Sequence, residues 1–446
     1  MRTVAVGTRT ATKPLYLGAD TGMGAVAAHT LKLQRNTSGS MAAFSFPCRC
    51  FASWIGGTAH ANTGLRRKRG PKDWRLGGRV SICMETVLRP AQRAKLLESF
   101  ERTGLVKLDP SLHKGQCGRV MIVGGSKEYT GAPYYAGISA LRAGADLVHV
   151  MCSSEAVGPL KGYSPELMVH GILPSTATHP MRNEDPKHNS FSFAQELLDD
   201  AAALVQRIDA LVVGPGLGRD SVTIAFVEAL LVQVARERQK TGRDLSLVFD
   251  ADGLALVKYK SKLFDANSAG LLPGPVFLTP NVVEYGRLAD TWREGLDPAC
   301  SSAGELRAEP THLARVWGPR MIIVEKGPRD IIASGDEREQ APLVCNEPGS
   351  LRRCGGQGDV LAGVLTCFAA MQAKRGQTDQ GRSGVAVDLR LAAFAACTLV
   401  RASAAAAFEK KRRSMLTTDV IEHLPERLEI MFPTSYHEET ERPQSG

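Results

Sequence analysis

The chain has 446 residues, of which 43% are hydrophobic and 23% are charged, as in a soluble globular enzyme with one large or two medium domains. The formal charge of +9 does not indicate a nucleic-acid-binding body, because thirteen Lys and Arg against two acidic residues precede Met84 and leave the rest at about −2. No run reaches the ~18 uninterrupted apolar residues of a membrane-spanning helix, and none of the ten cysteines forms a C-x-x-C pair of the zinc or thioredoxin type.

Residues 1–83 are rich in Arg, Ser, Thr and Ala and poor in acidic residues, which is the composition of an organelle-targeting leader. We predict a disordered leader that directs the protein to the mitochondrion, with a plastid as the open alternative. The cluster Arg66–Arg69 has a competing interpretation as a nuclear or nucleic-acid-binding segment. Met41 and Met84 are candidate internal starts, and a chain that begins at Met84 would be cytosolic.

The predicted elements after the leader alternate between helix and strand. The segments Thr86–Leu105, Ala132–Ala145 and Val222–Glu237 are predicted to be helices. Short apolar runs predict buried strands at Arg119–Gly125, Asp146–Cys152, Ala210–Gly216, Leu245–Asp252, Val276–Asn281 and Met321–Gly327. Because these runs are continuously apolar, they indicate an α/β fold whose mostly parallel central sheet is covered by helices on both faces.

Each predicted strand ends in a polar or glycine-rich tip, and ligands bind at the carboxyl ends of the strands of an open α/β sheet. We therefore expect the tips to form one cleft. Pro174–Phe191 and Pro298–Pro310 are expected to be surface insertions, and the alanine-rich Gly384–Glu409 a core helix or helix pair. The predicted organisation is the leader, one α/β domain over residues 84–430 and a disordered tail over residues 431–446.

The most informative motif is Gly349–Val360, GSLRRCGGQGDV, which runs directly into an apolar helix. A glycine-rich loop that opens a helix presents unpaired backbone N–H groups and the positive end of the helix dipole to an anion. Asp359 stands at the helix start, where a carboxylate beside a bound phosphate can take a proton from an attacking hydroxyl. The combination of anion site and base predicts phosphoryl transfer to an alcohol.

Two glycine-rich strand tips are further candidates for contact with a ligand. Gly124-Gly125-Ser126 is either a phosphate-approach turn or a plain strand-to-helix turn, and Gly214–Arg219 is either a ligand-contacting or a structural turn. The spacing in the second tip is not that of the G-x-G-x-x-G dinucleotide fingerprint, and a Walker-type loop is absent as well.

Three polar tips leave a functional and a structural interpretation open. The acidic pair Asp250 and Asp252 is either a magnesium-associated cluster or a helix cap. Asn281 and Glu284 have the spacing of a capping box, or they face substrate or metal. Lys326–Asp330 joins two apolar runs and is either a simple hairpin or, as we favour, a contact to ATP.

Five ordered motifs between about Leu105 and Leu424 resemble those of the ATP- or ADP-dependent (S)-NAD(P)H-hydrate dehydratases of the ribokinase-like superfamily. The motifs are KGQCGRVMIVGGSKEYTGAPYYAG, GPGLGR, TPNVVEYGRL, EKGPRD and GSLRRCGGQGDVLAG. The last one is similar to the form of the eukaryotic, ATP-using branch. The resemblance implies a three-layer α/β sandwich and the repair of NADHX and NADPHX, the hydrated and redox-inactive forms of NADH and NADPH.

The resemblance also implies site residues. Asp359 would be the catalytic residue. The hydrated dinucleotide would contact Gly216, Gly218, Asn281, Val282, Val283, Glu284, Tyr285, Gly286, Arg287 and Asp359. ATP would contact Lys326, Gly327, Pro328, Arg329, Asp330, Gly349, Ser350, Leu351, Arg352, Arg353, Cys354, Gly355, Gly356, Gln357 and Gly358.

The expected chemistry follows from the poor leaving ability of hydroxide. ATP, with Mg²⁺ neutralising its phosphates, would phosphorylate the ring hydroxyl, and elimination of phosphate would restore the reduced nicotinamide. Expected partners are a small dinucleotide substrate and, functionally, an NAD(P)HX epimerase; a homo-oligomer is possible, and neither nucleic acid nor membrane is expected. The competing hypotheses are a ribokinase-like small-molecule kinase that stops at a stable phosphoester, and a non-catalytic nucleotide- or nucleic-acid-binding protein.

Overall fold

The central element is a mostly parallel sheet. The structure, a computed structural model, describes residues 88–178, 195–259, 272, 274–294, 309–339, 341–379 and 387–434. The strands in these residues are β1 (Arg119–Val123), β2 (Leu147–Ser153), β3 (Leu167–Leu173), β4 (Ala210–Val213), β5 (Ser246–Phe249), β6 (Val276–Leu278), β7 (Met321–Glu325), β8 (Asp330–Ser334) and β9 (Leu343–Cys345).

Helices separate most of these strands along the chain. They are α1 (Pro90–Thr103), α2 (Gly131–Arg142), α3 (Ser154–Tyr163), α4 (Gln195–Val205), α5 (Ser221–Thr241), α6 (Gly253–Tyr259), α7 (Val282–Glu294), α8 (Pro310–Trp317), α9 (Gln357–Asp379), α10 (Arg390–Lys411) and α11 (Thr417–Met431). A 3₁₀ turn, Arg412–Ser414, joins α10 to the segment before α11.

The strands lie in the order β3-β2-β1-β4-β5-β6-β7-β8-β9. Strands β1 to β7 are parallel, whereas β8 runs antiparallel to β7, and β9 antiparallel to β8. Val120 of β1 pairs with Val148 of β2 on one side and with Ala210 of β4 on the other. The sheet therefore grows in one direction from β1 to β3 and in the other from β4 onward, which makes the β1–β4 boundary the switch point where ligands of open α/β sheets bind.

The side chains of β1 show why both faces of the sheet need a helical layer. Val120 and Ile122 point into one core cluster, which contains residues of α2, α3, α9, α10 and α11. Met121 and Val123 point into a second cluster, which contains residues of α4 to α8. All four side chains are at most 1% exposed, so the strand is apolar on both sides and the fold is a three-layer α/β sandwich, as predicted.

The predicted strands are confirmed as β1, β2, β4, β5, β6 and β7. In β4 to β7 the polar tips lie beyond the last paired residues of the strand, so these strands are shorter than the predicted runs. The run Lys326–Asp330 does form a hairpin, because β7 and β8 pair on either side of it. The edge strands β3 and β9 were not predicted: β3 contains His170 and an exposed Gly171, and β9 has only three residues.

The alanine-rich segment forms one core helix, α10, over its described part. Together with the following turn, Arg390–Ser414, it is the one helix among the described residues that is long and apolar enough to cross a membrane. The most apolar window of this helix is 78% buried inside the protein, where α10 packs against α1, α9 and α11. A helix that is apolar nearly all round is expected at such a buried position.

Several predictions fall outside the described residues. They concern the leader, residues 1–83, most of the two insertions, residues 179–191 and 298–308, and residues 435–446 of the tail predicted over 431–446. Of the four tail residues that the structure describes, Met431 is the last residue of α11 and Phe432 is 6% exposed. The organisation into leader, domain and tail stays a prediction.

Candidate active site

The tips of five neighbouring strands form one polar edge of the sheet. Gly124–Ser126 follows β1, Gly214–Gly218 follows β4, Asp250–Asp252 follows β5, Thr279–Asn281 follows β6, and Lys326 follows β7. Because these strands are parallel and adjacent, their carboxyl ends lie side by side. The tips that the sequence singled out are thus neighbours in space, although they are far apart in the chain.

Glycine is required where these tips pack on one another. Gly214 has a φ of 128°, and a Cβ at this position would lie 1.7 Å from the carbonyl oxygen of Asp250. Gly216 has a φ of 62°, and its Cβ would lie 2.4 Å from the carbonyl oxygen of Tyr129. Any side chain would therefore separate the β4 tip from the loops after β1 and β5.

Lys326 links the tips of β5, β6 and β7. Its backbone N–H donates to the carbonyl oxygen of Pro280 at 2.8 Å, and its Nζ donates to Oδ1 of Asp250 at 2.6 Å. The hydroxyl of Thr279 donates to the same Oδ1 at 2.6 Å. Burial lowers the pKa of the Lys326 ammonium, but the carboxylate of Asp250, with further contributions from Glu284 and Asp359, outweighs burial and raises that pKa above its usual value.

The N-terminus of α9 faces this ion pair. The helix begins at Gln357 and carries Asp359 in its first turn. An ideal Cβ on Gly358 would lie 3.5 Å from Nζ of Lys326 and 3.9 Å from Oδ2 of Asp250. Because the first N–H groups of a helix have no intrahelical partner, this helix end and the lysine together can bind an anion such as a phosphate.

Asp359 is half-buried at this position. Burial, followed by the negative charge of Asp250, raises the pKa of Asp359 to about 7, against the opposing effects of Lys326 and of its own backbone N–H. A general base works best when its pKa lies near the operating pH. The carboxyl group of Asp359 is therefore suited to accept a proton from a hydroxyl that attacks a phosphate bound at the helix end.

The loop before α9 is held in shape by its own side chains and by residues just before and at the start of α11. The amide of Gln357 donates to the carbonyl oxygen of Arg352 at 3.3 Å, and Nε of Arg352 donates to the carbonyl oxygen of Met415 at 2.7 Å. The hydroxyl of Thr417 donates to the carbonyl oxygen of Gly355 at 2.5 Å. The side chains of Gln357 and Arg352 thus have structural partners within the protein.

The loop residues predicted to contact ATP differ in exposure. The exposed ones are Gly349, Leu351, Arg353 and Gly355. The half-buried ones are Ser350, Arg352, Cys354, Gly356, Gln357 and Gly358. Their contacts with ATP stay a prediction, as do those of the β7–β8 turn.

The β7–β8 turn, Gly327–Asp330, is fixed by Arg401 of α10. Nε of Arg401 donates to Oδ2 of Asp330 at 2.6 Å, and NH2 donates to Oδ1 at 2.8 Å. The same guanidinium donates to the carbonyl oxygens of Gly327 at 2.7 Å and Pro328 at 3.1 Å. Asp330 also accepts from the Gly327 N–H at 3.1 Å, so one buried ion pair holds the whole turn next to Lys326.

Asn281 and Glu284 form a capping box at the start of α7. Oδ1 of Asn281 accepts from the N–H groups of Val283 and Glu284 at 3.0 Å, and Oε2 of Glu284 accepts from the Asn281 N–H at 2.8 Å. Val282 and Val283 are exposed, as are Asn281 and Arg287, and Gly286 is half-buried. Tyr285 is 0% exposed as a whole residue and belongs to the second core cluster, so neither its side chain nor its backbone is accessible to a substrate in this structure.

The acidic pair after β5 divides between two partners. Asp250 binds Lys326 and Thr279, as described, whereas Asp252 accepts from the Gly218 N–H at 3.2 Å and from Nε of Arg219 at 3.3 Å. Both carboxylates therefore bind residues outside helix α6, which the cap interpretation does not explain. The described residues contain no group of three or more His, Cys, Asp or Glu side chains that could hold a metal ion.

Ser126 adds a polar group to the tip of β1. Its Oγ is buried and has no hydrogen-bond partner among the residues that the structure describes, and a Cβ on Gly218 would lie 3.3 Å from this oxygen. The hydroxyl is thus directed toward the Gly214–Gly218 loop.

Sequence reasoning missed the roles of three residues. Asp250 and Thr279 were visible as polar strand tips, but nothing in the sequence showed that they share Lys326. Arg401 interrupts an apolar, alanine-rich helix, and a charged residue at such a position needs a partner. That signal could have pointed to Arg401, although not to Asp330 as the partner.

Comparison with known proteins gives a consistent result. A family model described as NAD(P)H-hydrate dehydratase matches residues 120–426. The ATP-dependent (S)-NAD(P)H-hydrate dehydratase of Mus musculus is 39% identical over 322 residues, which cover 72% of this chain and 81% of the mouse protein.

Two crystal structures share the fold at lower identity. A ribokinase-like superfamily protein of Enterococcus faecalis has a TM-score of 0.51 and 21% identity, with coverage of 75% of this chain and 94% of its own. The ADP/ATP-dependent NAD(P)H-hydrate dehydratase of Bacillus subtilis, co-crystallised with ATP and Mg²⁺, has a TM-score of 0.50 and 21% identity, with coverage of 75% and 97%. These likenesses show that the sandwich is ribokinase-like.

Proposed function

The chain belongs to the NAD(P)H-hydrate dehydratase family, and on that premise we propose that it converts (S)-NADHX and (S)-NADPHX to NADH and NADPH at the expense of ATP, with release of ADP and phosphate. The observation that carries the proposal is the position of Asp359. This carboxyl group, with a pKa of about 7, stands in the first turn of α9 beside the Lys326 ammonium, where an anion site and a base coincide.

The reaction requires a better leaving group than hydroxide. Asp359 takes the proton of the ring hydroxyl, the hydroxyl oxygen bonds to the γ-phosphorus of ATP, and the bond to ADP breaks. The ring nitrogen lone pair then expels phosphate by cleavage of the carbon–oxygen bond. Loss of a proton from the adjacent ring carbon restores the dihydropyridine, so that the overall products are reduced nicotinamide, ADP and phosphate.

The chain's own residues provide the electrostatic part of this scheme. The N–H groups at the start of α9 and the Lys326 ammonium stabilise the negative charge on the transferring phosphoryl group. The turn that Arg401 fixes and the glycine-rich loop would hold the rest of ATP, and the tips of β4 and β6 would hold the dinucleotide. The residues assigned to ATP and to the dinucleotide by resemblance are part of this proposal.

Magnesium fits the site as a companion of ATP. Mg²⁺ usually keeps several waters and binds substrate phosphates with few protein ligands. The absence of a group of three metal-ligating side chains within the described residues agrees with a metal held mainly by phosphates. When bound there, Mg²⁺ would neutralise phosphate charge during transfer.

The test is a mixture of the full chain, ATP, Mg²⁺ and (S)-NADPHX, followed by nicotinamide absorbance and phosphate release. We expect NADPH and phosphate to appear one for one. A ribokinase-like small-molecule kinase would instead accumulate a stable phosphoester without NADPH, a result that would contradict the proposal. The name of the mouse relative, a dehydratase, supports the first outcome.

We also propose that residues 1–83 direct the protein to the mitochondrion, with a plastid or, for a chain that starts at Met84, the cytosol as alternatives. The leader composition supports this proposal. A fusion of residues 1–83 to a fluorescent reporter should co-localise with a mitochondrial marker, and a diffuse signal would contradict it. Two further expectations from the sequence, assembly into a homo-oligomer and functional pairing with an NAD(P)HX epimerase, are likewise proposals.

A further inference from the structure

Asp250 is a buried carboxylate to which the resemblance assigns no role. Its side chain is 3% exposed. Both hydrogen bonds described above, from Nζ of Lys326 and from the Thr279 hydroxyl, end on the same oxygen, Oδ1. The other oxygen, Oδ2, faces the start of α9, where it lies 3.9 Å from an ideal Cβ on Gly358.

This arrangement fixes Lys326. A buried charge is costly unless it is paired and hydrogen-bonded, so the Lys326 ammonium and the Asp250 carboxylate hold each other in place. Thr279 limits the rotation of the carboxylate, because its hydroxyl is anchored on the neighbouring strand tip. The ammonium is thereby kept 3.5 Å from the Cβ position of Gly358, at the helix end where a phosphate would bind.

The same carboxylate acts on Asp359. The charged groups that face Asp359 are Asp250 from the β5 tip and Lys326 from the β7 tip, and Glu284 from α7 acts on Lys326 in turn. Asp250 raises the pKa of Asp359, whereas Lys326 lowers it. A carboxyl group with an ordinary pKa near 4 is a weak base toward an alcohol, so the neighbouring negative charge makes Asp359 a stronger one.

We propose that Asp250 is a positioning residue for the reaction: one carboxylate oxygen holds the Lys326 ammonium at the phosphoryl-transfer position, and the other places a negative charge at the start of α9, next to the general base Asp359. The inference rests on the proposed function, because Asp359 is the general base only in that scheme. The role given to Asp250 requires no contact of its own with the substrate hydroxyl or the phosphoryl group.

The discriminating variant is Asp250→Asn, because asparagine has the same shape and keeps an oxygen that accepts from Lys326 and Thr279. The pH dependence of kcat/KM for (S)-NADPHX is measured on the full chain with saturating ATP and Mg²⁺. We expect the acid limb to move to lower pH by roughly half a unit or more, because a like charge near Asp359 has been removed. The plateau rate should fall, because the base is weaker.

Asp252→Asn is the matched control. It removes an equal charge two residues further along the same tip, but from a carboxylate that binds the Gly218 N–H and Arg219. Whatever this variant does to the rate, its acid limb should stay at the wild-type pH. If the wild type turns over (S)-NADPHX normally but the acid limb of Asp250→Asn also stays at the wild-type pH, the inference is overturned. The proposed function would remain intact in that case.

Two further measurements keep the inference testable if Asp250→Asn does not fold or if the wild type does not turn over (S)-NADPHX. Lys326→Gln removes the opposing charge and should move the acid limb to higher pH; an unmoved limb overturns the inference. Without any substrate, the pH dependence of unfolding reports on Asp359. Its folded pKa of about 7 exceeds the ordinary value of 3.8, so wild-type stability should fall as pH rises from about 4 to about 7.

In the Asp250→Asn protein, the loss of stability with rising pH should span a narrower pH range and end at a lower pH than in the wild type. The Asp359→Asn protein should not show this loss. If the decline is the same in the Asp250→Asn and wild-type proteins, the charge of Asp250 does not act on Asp359. That result contradicts the inference independently of any turnover.

Discussion

At the scale of single residues, the proposed chemistry depends on three side chains that come from distant parts of the chain. Asp250 and Lys326 are 76 positions apart and form an ion pair of 2.6 Å, and Asp359 joins them from the first turn of α9. Because Asp250 raises and Lys326 lowers the pKa of Asp359, and both carboxylates raise the pKa of Lys326, the group acts as a unit. Substitution of one member should therefore alter the pH response as well as the rate.

The first residue-scale prediction concerns Asp359→Asn. The amide cannot accept the proton of the ring hydroxyl, so we expect kcat to fall at least ~100-fold, in the range that loss of a general base costs. The affinity for ATP should change little, because the helix N-terminus and Lys326 remain. Turnover of (S)-NADPHX and a separate ATP-binding titration measure the two quantities.

The control for this prediction is Asp199→Asn, which alters an exposed aspartate on α4, a helix of the opposite face of the sheet. It should retain wild-type turnover. An Asp359→Asn protein that retains turnover would remove Asp359 from the mechanism.

At the scale of elements, the β7–β8 hairpin connects the proposed ATP site to helix α10. Arg401 and Asp330 are 16% and 7% exposed, so their ion pair is largely shielded from water. Removing one partner of a buried pair leaves the other charge uncompensated. The stability of the hairpin and the geometry of the turn that follows Lys326 are therefore coupled.

We predict that Arg401→Met lowers the free energy of unfolding by about 3–5 kcal/mol, the cost of breaking a buried ion pair. Denaturant unfolding of the apo protein measures this change in stability. The KM for ATP should also rise, because the turn loses four hydrogen bonds from one guanidinium. Arg338→Met, which removes the exposed arginine of the Asp336–Arg338 pair, should leave stability nearly unchanged. Equal losses in the two variants would contradict the role given to Arg401.

The elements that the sequence predicted are those with an unambiguous apolar pattern. Strand β1, RVMIV, is buried on both faces and is identifiable as a continuous apolar run. Strand β3 has a mixed burial pattern at the sheet edge, so its sequence is neither a continuous apolar run nor a regular alternation of apolar and polar residues. The capping box of α7 was one of two open alternatives, because the same Asn281 and Glu284 also suit a ligand site. The structure shows that each side chain accepts a hydrogen bond from the backbone N–H of the other residue.

At the scale of the whole molecule, the two core clusters account for the position of the site. Helical layers cover both faces of the sheet, so the strand tips at its carboxyl edge are where polar residues of many strands can meet. Sequence could predict that edge from the polar ends of apolar runs. It could not predict which tips touch, because the strand order β1-β4-β5-β6-β7 and the contact of α9 with Lys326 arise from tertiary packing.

A prediction at this scale concerns acid stability. His149 and His170 are half-buried on neighbouring strands, and their ring nitrogens are 3.0 Å apart. Burial is the first cause that lowers the pKa of both imidazoles. Their folded pKa values therefore lie below the unfolded value of about 6.5, and the neutral pair contributes stability that is present above that pH and is lost as pH falls below it.

The measurement is the difference in thermal midpoint between wild type and His149→Gln/His170→Gln at pH 7.5 and pH 5.5. We expect the wild type to lose more stability than the variant between these two values. The change of stability with pH that the two imidazoles contribute is opposite in sign to the change that Asp359 contributes. The double variant retains Asp359. Parallel curves for the two proteins would show that the imidazoles do not titrate differently in the folded state.

The most direct test of the central claim, that the ring hydroxyl leaves as phosphate, is a single turnover with (S)-NADPHX whose ring hydroxyl carries ¹⁸O. The full chain, ATP and Mg²⁺ are mixed with this substrate in unlabelled water, and the released phosphate is analysed by mass. Phosphorylation of the hydroxyl followed by carbon–oxygen cleavage predicts one ¹⁸O in each phosphate formed with NADPH. Unlabelled phosphate, with the ¹⁸O recovered in water, would contradict the account.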